Sequence, residues 1–381
     1  MRGAPPTMAR AERRLRHLGA SLRARPAAPP RPCPSAAATG DPAEARLRRS
    51  LDALAAAPWR GELPRIEGTV LTCGPSQAYH DARTRPWNTD AHGFPLLVCR
   101  VAGAADVAAA LTFATERRIE VAVAGGAHSV RPFPDGALVI DLAEMRGVEV
   151  KPDERIVTAE GGCTLGDLDE ELEPHGLGVP WGTNPGTGVA GLTLAGGAGF
   201  LSRMYGLTID NLLAVDAVLP DGRIIHATPS NDHADFLWGC KGGGGNFGVV
   251  TKFYFRAHRL PSGGRLAMLT TVYTAQSTAA CKGLLRRFDA AMRAAPDSVN
   301  CALAMPCGAQ VIPITWCHLR EGLAVGSEVP ELEPARGLAV GEGCGLAVDE
   351  LQVCSYHRDM QTVLVPNQQP GHHFGASRDV T

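Results

Sequence analysis

Long apolar runs are missing from this 381-residue sequence. No stretch approaches about 18 apolar residues free of charge, which excludes a transmembrane helix. A charge excess is missing as well. The formal net charge is −2, so neither a generally basic nucleic-acid binder nor a polyacidic tail protein fits. Cysteine occurs 11 times but never as Cys-x-x-Cys. An odd, dispersed set is neither a disulfide framework nor a zinc site, and it points to a thiol-tolerant compartment. Internal repeats are absent, and the 44 glycines follow no fixed period, which excludes collagen. Residues 1–40 are nearly devoid of acid: eight arginines meet one acidic residue, Glu12, among Ala and Pro. Such a leader suits an organellar transit peptide or a disordered, compositionally biased segment, and it lacks the apolar core of a secretory signal. The sequence leaves the location open between cytoplasmic and organellar, the latter if residues 1–40 act as a transit peptide.

What is present suffices for two domains with at least one large core, since 45% of residues are hydrophobic. Residues 43–57 read as a short amphipathic helix. Residues 69–88 are mixed, and organised structure is expected from about Phe94. Pro95–Val101, Ile119–Ala124 and Ala137–Leu142 read as strands, with a helix over Ala104–Arg118 between the first two. That β-α-β unit implies parallel pairing. Hairpins are expected across Pro152-Asp153 and Pro220-Asp221-Gly222. Thr164 caps a helix running to His175, with Asp167 three residues on. Asp232–Cys240 reads as a helix and Val249–Ala257 as a strand. Beyond about 260 the pattern is α+β: strands at 266–273, 299–305 and 310–318, a helix at Thr278–Ala294, and loop over 320–345.

Glycine clusters in three segments: Gly125-Gly126-Ala127-His128-Ser129, the run from Gly182 to Gly199, and Gly242 to Gly248. Without bulky side chains, backbone N–H groups can line a concavity that binds phosphate with no Lys or Arg. Three such nests suit a long ligand with a central pyrophosphate, a dinucleotide. Within the second run, Gly186-Thr187-Gly188-Val189-Ala190-Gly191 matches G-x-G-x-x-G, with Asp210 about 20 residues on. That motif must follow a strand and open a helix, and the prolines at 180 and 185 argue against a central strand. A nicotinamide-dependent dehydrogenase rests on this match alone. His128, among small neighbours after a strand, has room to meet the ligand.

At these residues the sequence resembles FAD-linked oxidases of the berberine bridge enzyme type, in the vanillyl-alcohol oxidase and p-cresol methylhydroxylase (PCMH) superfamily. The resemblance is carried by PLLVCRVAGAADVAAALTFATERRIEVAVAGGAHSV (95–130), DGALVIDLAEMRGVEV (135–150), GVAGLTLAGGAGFLSRMYGLTIDNLLAVDAVLPDGR (188–223) and KGGGGNFGVVTKFYF (241–255). Tyr79, Arg83, Trp87 and Asn88 resemble a lead-in of bacterial members. The likeness is strong over 69–260 and looser beyond. It implies an α+β fold: a two-subdomain PCMH-type FAD-binding domain (91–260), preceded by a leader (1–42) and a helical lead-in (43–90). A truncated α+β substrate domain with an antiparallel sheet (261–381) follows.

The resemblance also implies a bond from His128 to the 8α-methyl of FAD. The second, cysteinyl link of many members falls here on Asn184, and Cys163 lies too early in the motif order, so a single link is expected. Other FAD contacts implied by position are Gly125, Gly126, Ala127 and Ser129, then Gly188, Val189, Gly191, Leu192, Thr193, Gly196 and Gly197. Tyr205, Gly206, Asp210 and Asn211 follow, and Gly248, Val249 and Val250 close the set. The family's Tyr or Glu base falls in a segment this sequence does not contain. Tyr273, Glu350, Tyr356, His372 and His373 are candidates without an assigned role. The expected function is an FAD-dependent oxidase acting on a small-molecule alcohol or amine with dioxygen as acceptor. A non-catalytic flavin-binding remnant competes with it. No metal is expected.

Overall fold

The computed structural model describes residues 42–59, 61–305 and 311–360. It divides into two compact units. The described residues of one run 42–265 and 354–360; those of the other run 266–353.

The first unit opens with α1 (Pro42–Ala56), followed by β1 (Thr69–Thr72) and α2 (Gln77–Arg83). Order thus begins well before Phe94, contrary to the sequence reading. The strand TVLT is short and its alternation weak, so only pairing with a neighbour reveals it. Next come β2 (Leu97–Arg100), α3 (Ala104–Arg117), β3 (Val121–Ala124) and β4 (Leu138–Asp141). The sheet order is β1-β2-β4-β3. β2 and β3 are parallel, as the β-α-β pattern implies, but β4 lies between them and pairs with both. Burial explains the placement. All four β4 residues are buried, as suits a central strand, whereas β3 leaves Val123 exposed and forms the edge. Val107, Ala110, Leu111 and Ala114 recur at helical spacing and bury one face of α3 in this core.

A second sheet of the same unit has the order β5-β6-β10-β8-β9. Its strands are β5 (Val148–Lys151), β6 (Ile156–Glu160), β8 (Leu212–Val218), β9 (Ile224–Ala227) and β10 (Val249–Arg256). Between them lie α4 (Leu165–Leu172), β7 (Leu177–Gly178), α5 (Val189–Leu194), α6 (Ser202–Tyr205) and α7 (Ala234–Cys240). The capping box read from Thr164 and Asp167 is present at α4. Gly222 turns the β8–β9 hairpin at φ 84°. β7 pairs only with β11 (His258–Arg259), antiparallel. Trp181, Phe253 and Phe255 fill the core behind this sheet.

The second unit is an antiparallel sheet in the order β13-β14-β12-β15. It comprises β12 (Arg265–Ala275), β13 (Val299–Leu303), β14 (Val311–His318) and β15 (Cys344–Ser355). α8 (Thr278–Ala294) packs on it through Leu284 and through Phe288, whose ring lies 5.5 Å from that of Trp316. Within 320–345, read as loop, the chain forms a short turn at Pro330–Leu332 and α9 (Glu333–Arg336). The Pro and Gly content there masks helix starts, since proline fits the first turn of a helix. Among the described residues no helix is long and apolar enough to cross a membrane, and no group of three or more His, Cys, Asp or Glu could hold a metal.

Candidate functional site

β3 ends at Ala124, and the chain enters the loop Gly125–Ser129. Its carbonyls are held from one side. Arg85 Nη1 donates to the Gly125 oxygen at 2.8 Å, and the Trp87 N–H donates to the Ala127 oxygen at 3.2 Å. The same guanidinium pairs through Nη2 with Asp141, a fully buried carboxylate at the end of β4. Burial pushes the Asp141 carboxyl above the ordinary range, against the pull of Arg85 and Arg100. Ala127 adopts φ 56°, which lets successive N–H groups converge. The N–H groups of residues 125–129 meet no acceptor among the described residues. The loop therefore presents its donors, with the Gly125 and Ala127 carbonyls tied back.

His128 is half-buried, with one face of its ring stacked on Trp87 at 5.6 Å between centroids and 12° between planes. Burial holds the imidazole below its ordinary range, offset in part by a hydrogen bond with the Gly186 backbone. A neutral ring at pH 7 has a free nitrogen lone pair and can act as a nucleophile.

The second glycine run lies directly across. A Cβ on Gly126 would sit 2.3 Å from the Gly188 nitrogen, and one on Gly188 would sit 2.3 Å from the Gly126 nitrogen. The two loops touch backbone to backbone, so neither position admits a side chain. Asn184 accepts the Gly186 N–H at 2.9 Å, which places it beside His128. Cys163 is buried in contact with the Gly147 carbonyl, and its thiol is pushed up to about 12 by burial. After Gly188 the chain forms α5, so the G-x-G-x-x-G run does open a helix. What precedes it is the two-residue antiparallel β7 rather than a central parallel strand, and the nicotinamide reading has no frame.

Val189 is core, Leu192 is half-buried, and Thr193 is fully buried with an Oγ1 that finds no partner among the described residues. Gly191 is exposed, and both it and Gly196 would place a Cβ in open space. An exposed glycine inside a helix costs about 1 kcal/mol relative to alanine. Nothing within 4 Å in the fold requires a glycine at 191. Gly191→Ala is expected to stabilise the ligand-free protein by up to about 1 kcal/mol while weakening FAD binding at least tenfold (about 1.4 kcal/mol). Thermal melts and a fluorescence titration would check this; wild-type affinity would show that the ligand does not pass here.

The remaining sequence-derived positions gather on this frame. Gly197 (φ 73°) lies against Thr208, tying the second run to the Tyr205–Asn211 segment. There Asp210 accepts the Leu207 N–H at 2.8 Å, and Asn211 donates to the Tyr205 and Leu207 carbonyls. Both side chains build the turn. Gly206 takes φ 81° within it. Tyr205 stacks on His258 at 4.1 Å, and His258 reaches Asn211 Oδ1 at 2.6 Å. The third glycine loop joins α5 where Gly244 donates to the Leu194 carbonyl at 3.0 Å. Gly248 approaches the Val218 carbonyl, and Val249 and Val250 are buried residues of β10. The candidates without an assigned role fare differently. Tyr273, in the second unit, and Tyr356, in the first, are both buried, and the Tyr273 hydroxyl donates to the Ala335 carbonyl. Glu350 is half-buried on β15, and His372 and His373 lie outside the described residues.

Two participants escape sequence reading, Arg85 and Asp141. Asp141 left a signal, a lone carboxylate in the otherwise apolar ALVIDL. Arg85 left none.

Free donors in an anion nest, glycine walls in contact and an orphaned buried hydroxyl fit FAD without a metal or an added cation. The class so defined is a protein built to hold a pyrophosphate-bearing ligand, which a flavin dinucleotide satisfies. Comparison with known proteins agrees: residues 95–228 match the FAD binding domain family. An FAD-linked oxidoreductase of Dictyostelium discoideum is 35% identical over 250 residues, 65% of this chain and 54% of that one. The (R)-6-hydroxynicotine oxidase of Paenarthrobacter nicotinovorans is 32% identical over 198 residues, 51% of this chain and 43% of that one. In structure, 6-hydroxy-D-nicotine oxidase from Arthrobacter nicotinovorans superposes with a TM-score of 0.69 at 26% identity, over 79% of this chain and 64% of that one. The chain spans about half the length of the curated relatives it matches. Over the matched residues the chain is similar to FAD-linked oxidoreductases, in line with the sequence resemblance.

Proposed function

We propose that this chain is an FAD-dependent oxidoreductase of the oxidase type that holds its flavin covalently through His128. Bound FAD would supply hydride acceptance at N5 from a substrate carbon bearing a hydroxyl or amine, and return of two electrons to dioxygen as peroxide. The chain's own residues do the holding. The N–H groups of 125–129 face the pyrophosphate, helped by the glycine wall at 188–197. His128, neutral and with one face closed by Trp87, offers a ring nitrogen to the 8α-methyl carbon; as the N–C bond forms, a methyl C–H and the imidazole N–H would be given up, with the two electrons going to the flavin ring and on to dioxygen. Thr193 Oγ1 supplies a buried polar contact. The observation that carries this reading is the loop itself, with its carbonyls tied back, its donors free and its one nucleophile held neutral. Small-molecule amines and alcohols are the proposed substrate class, on the strength of relatives named as oxidases.

The test is acid precipitation of purified 1–381 beside His128→Ala. Yellow colour should stay with the wild-type polypeptide and leave the variant. Colour released from both would refute the covalent link, and soluble, folded protein without any flavin would refute FAD binding. Anaerobic mixing with a panel of amines and alcohols, followed by air, should then bleach and restore the flavin with release of peroxide.

A further inference from the structure

Segment 85–87 touches the His128 loop at alternate residues. Arg85 takes the Gly125 carbonyl, the Trp87 N–H takes the Ala127 carbonyl, and the Trp87 ring covers His128. Arg85 also reaches Asp141, the buried last residue of β4. The loop it grips starts with two glycines, the most permissive backbone available. Tying alternate carbonyls to an outside segment sets which way the intervening N–H groups point. The Gly186 backbone bounds the imidazole on a second side, with Nε2 3.8 Å from where a Gly186 Cβ would lie.

We propose that Arg85 and Trp87 are positioning residues that form a clamp fixing the orientation of the His128 imidazole. Arg85 anchors the loop to Asp141, and Trp87 blocks one face of the ring. The clamp rests on the reading above only where flavin attachment is the readout; the ring's orientation is defined without any ligand. Pre-setting a nucleophile within a narrow range of angles raises the rate of bond formation without tightening binding. The Trp87 ring should therefore act on attachment rate and leave non-covalent FAD affinity nearly unchanged, whereas Arg85, which also aims the loop donors, acts on both. Arginine suits the anchor because its fork serves two acceptors at once.

Two measurements test this. In the ligand-free protein, NMR should place the His128 ring protons in the shielding cone of Trp87. Arg85→Ala, which leaves both rings in the chain, should abolish that ring-current shift. An unchanged shift would overturn the role of Arg85 whatever the cofactor does. In the second, apoprotein is mixed with FAD and acid-stable flavin is followed with time. Trp87→Ala should slow attachment at least tenfold at saturating FAD, with FAD affinity within threefold of wild type and Trp87→Phe restoring most of the rate; Arg85→Ala should slow it at least tenfold at saturating FAD whatever its affinity. Wild-type rates at saturating FAD in both alanine variants, or rate and affinity falling together in Trp87→Ala, would overturn the clamp. Wild type that attaches no flavin while keeping the ring-current shift would instead overturn the covalent reading and leave the clamp standing on its NMR evidence.

Discussion

Gly126→Ala lowers the thermal midpoint of the flavin-binding unit by roughly 6–12 °C and strips it of flavin. The new methyl would sit 2.3 Å from the Gly188 nitrogen and 2.4 Å from its Cα, both main-chain atoms that no rotamer change can move aside. One of the two loops must retreat. Overpacking of this kind costs about 3 kcal/mol, and each kcal/mol is worth about 2–4 °C in a unit of this size. Retreat also pulls the donor-lined loop away from the run that faces it, so flavin is lost along with stability. Gly188→Ala presses on the same contact from the other side and should fail alike. Circular dichroism melts and the ratio of visible to ultraviolet absorbance read both effects. A variant with a wild-type melt and full flavin content would mean that the loops do not meet in solution.

The second large effect is at Asp141. Asp141→Ala should cost about 3 kcal/mol, the low end for breaking a buried ion pair, because the Arg85 side chain keeps 27% of its surface exposed and can turn towards water. Asp141→Asn keeps an acceptor for Arg85 and for the Ala143 N–H, and should cost less than half as much. The pH dependence has a definite sign. Burial raises the folded-state carboxyl above its unfolded value. Through that window the folded chain keeps a proton the unfolded chain has released, so this group's contribution is full in acid and declines as pH rises. The deficit of Asp141→Asn relative to wild type should thus be greatest in acid and shrink towards neutral pH. Urea midpoints at several pH values measure this, and a deficit that grows with pH would contradict it.

The features legible from sequence are those whose cause is local. A capping box needs only Thr164 and Asp167, and α4 starts where they say. Gly125–Ser129 and the 182–199 run declare themselves because a glycine cluster is visible as composition before it is visible as contact. The spatial order of strands is not local. LVCR, VAVA and LVID look alike, and only burial on both faces puts the last of them in the middle. Arg85 is hidden for the same reason: its partners lie 40 and 56 residues away, and a lone arginine beside Trp87 reads as lead-in. The motif match at 186–191 shows the converse hazard, a correct helix start at Val189 attached to the wrong frame. Asp210, singled out by the same match, spends its carboxylate on the Leu207 N–H.

The order of the second sheet bears on how the chain is made. β10 occupies its centre, paired with β6 on one side and β8 on the other, yet it is the last of the five to leave the ribosome. Until Val249–Arg256 emerge, the hairpins β5–β6 and β8–β9 stand apart, each with an unsatisfied edge. The glycine runs at 125–129 and 182–199 are synthesised more than 40 residues earlier and have no complete frame in the interim. Flavin capture is therefore a late event of biosynthesis, and the nascent chain passes through a window in which two open strand edges invite association with other chains. A stalled nascent chain released after residue 248 should bind holdase chaperones, whereas one released after residue 256 should begin to escape them.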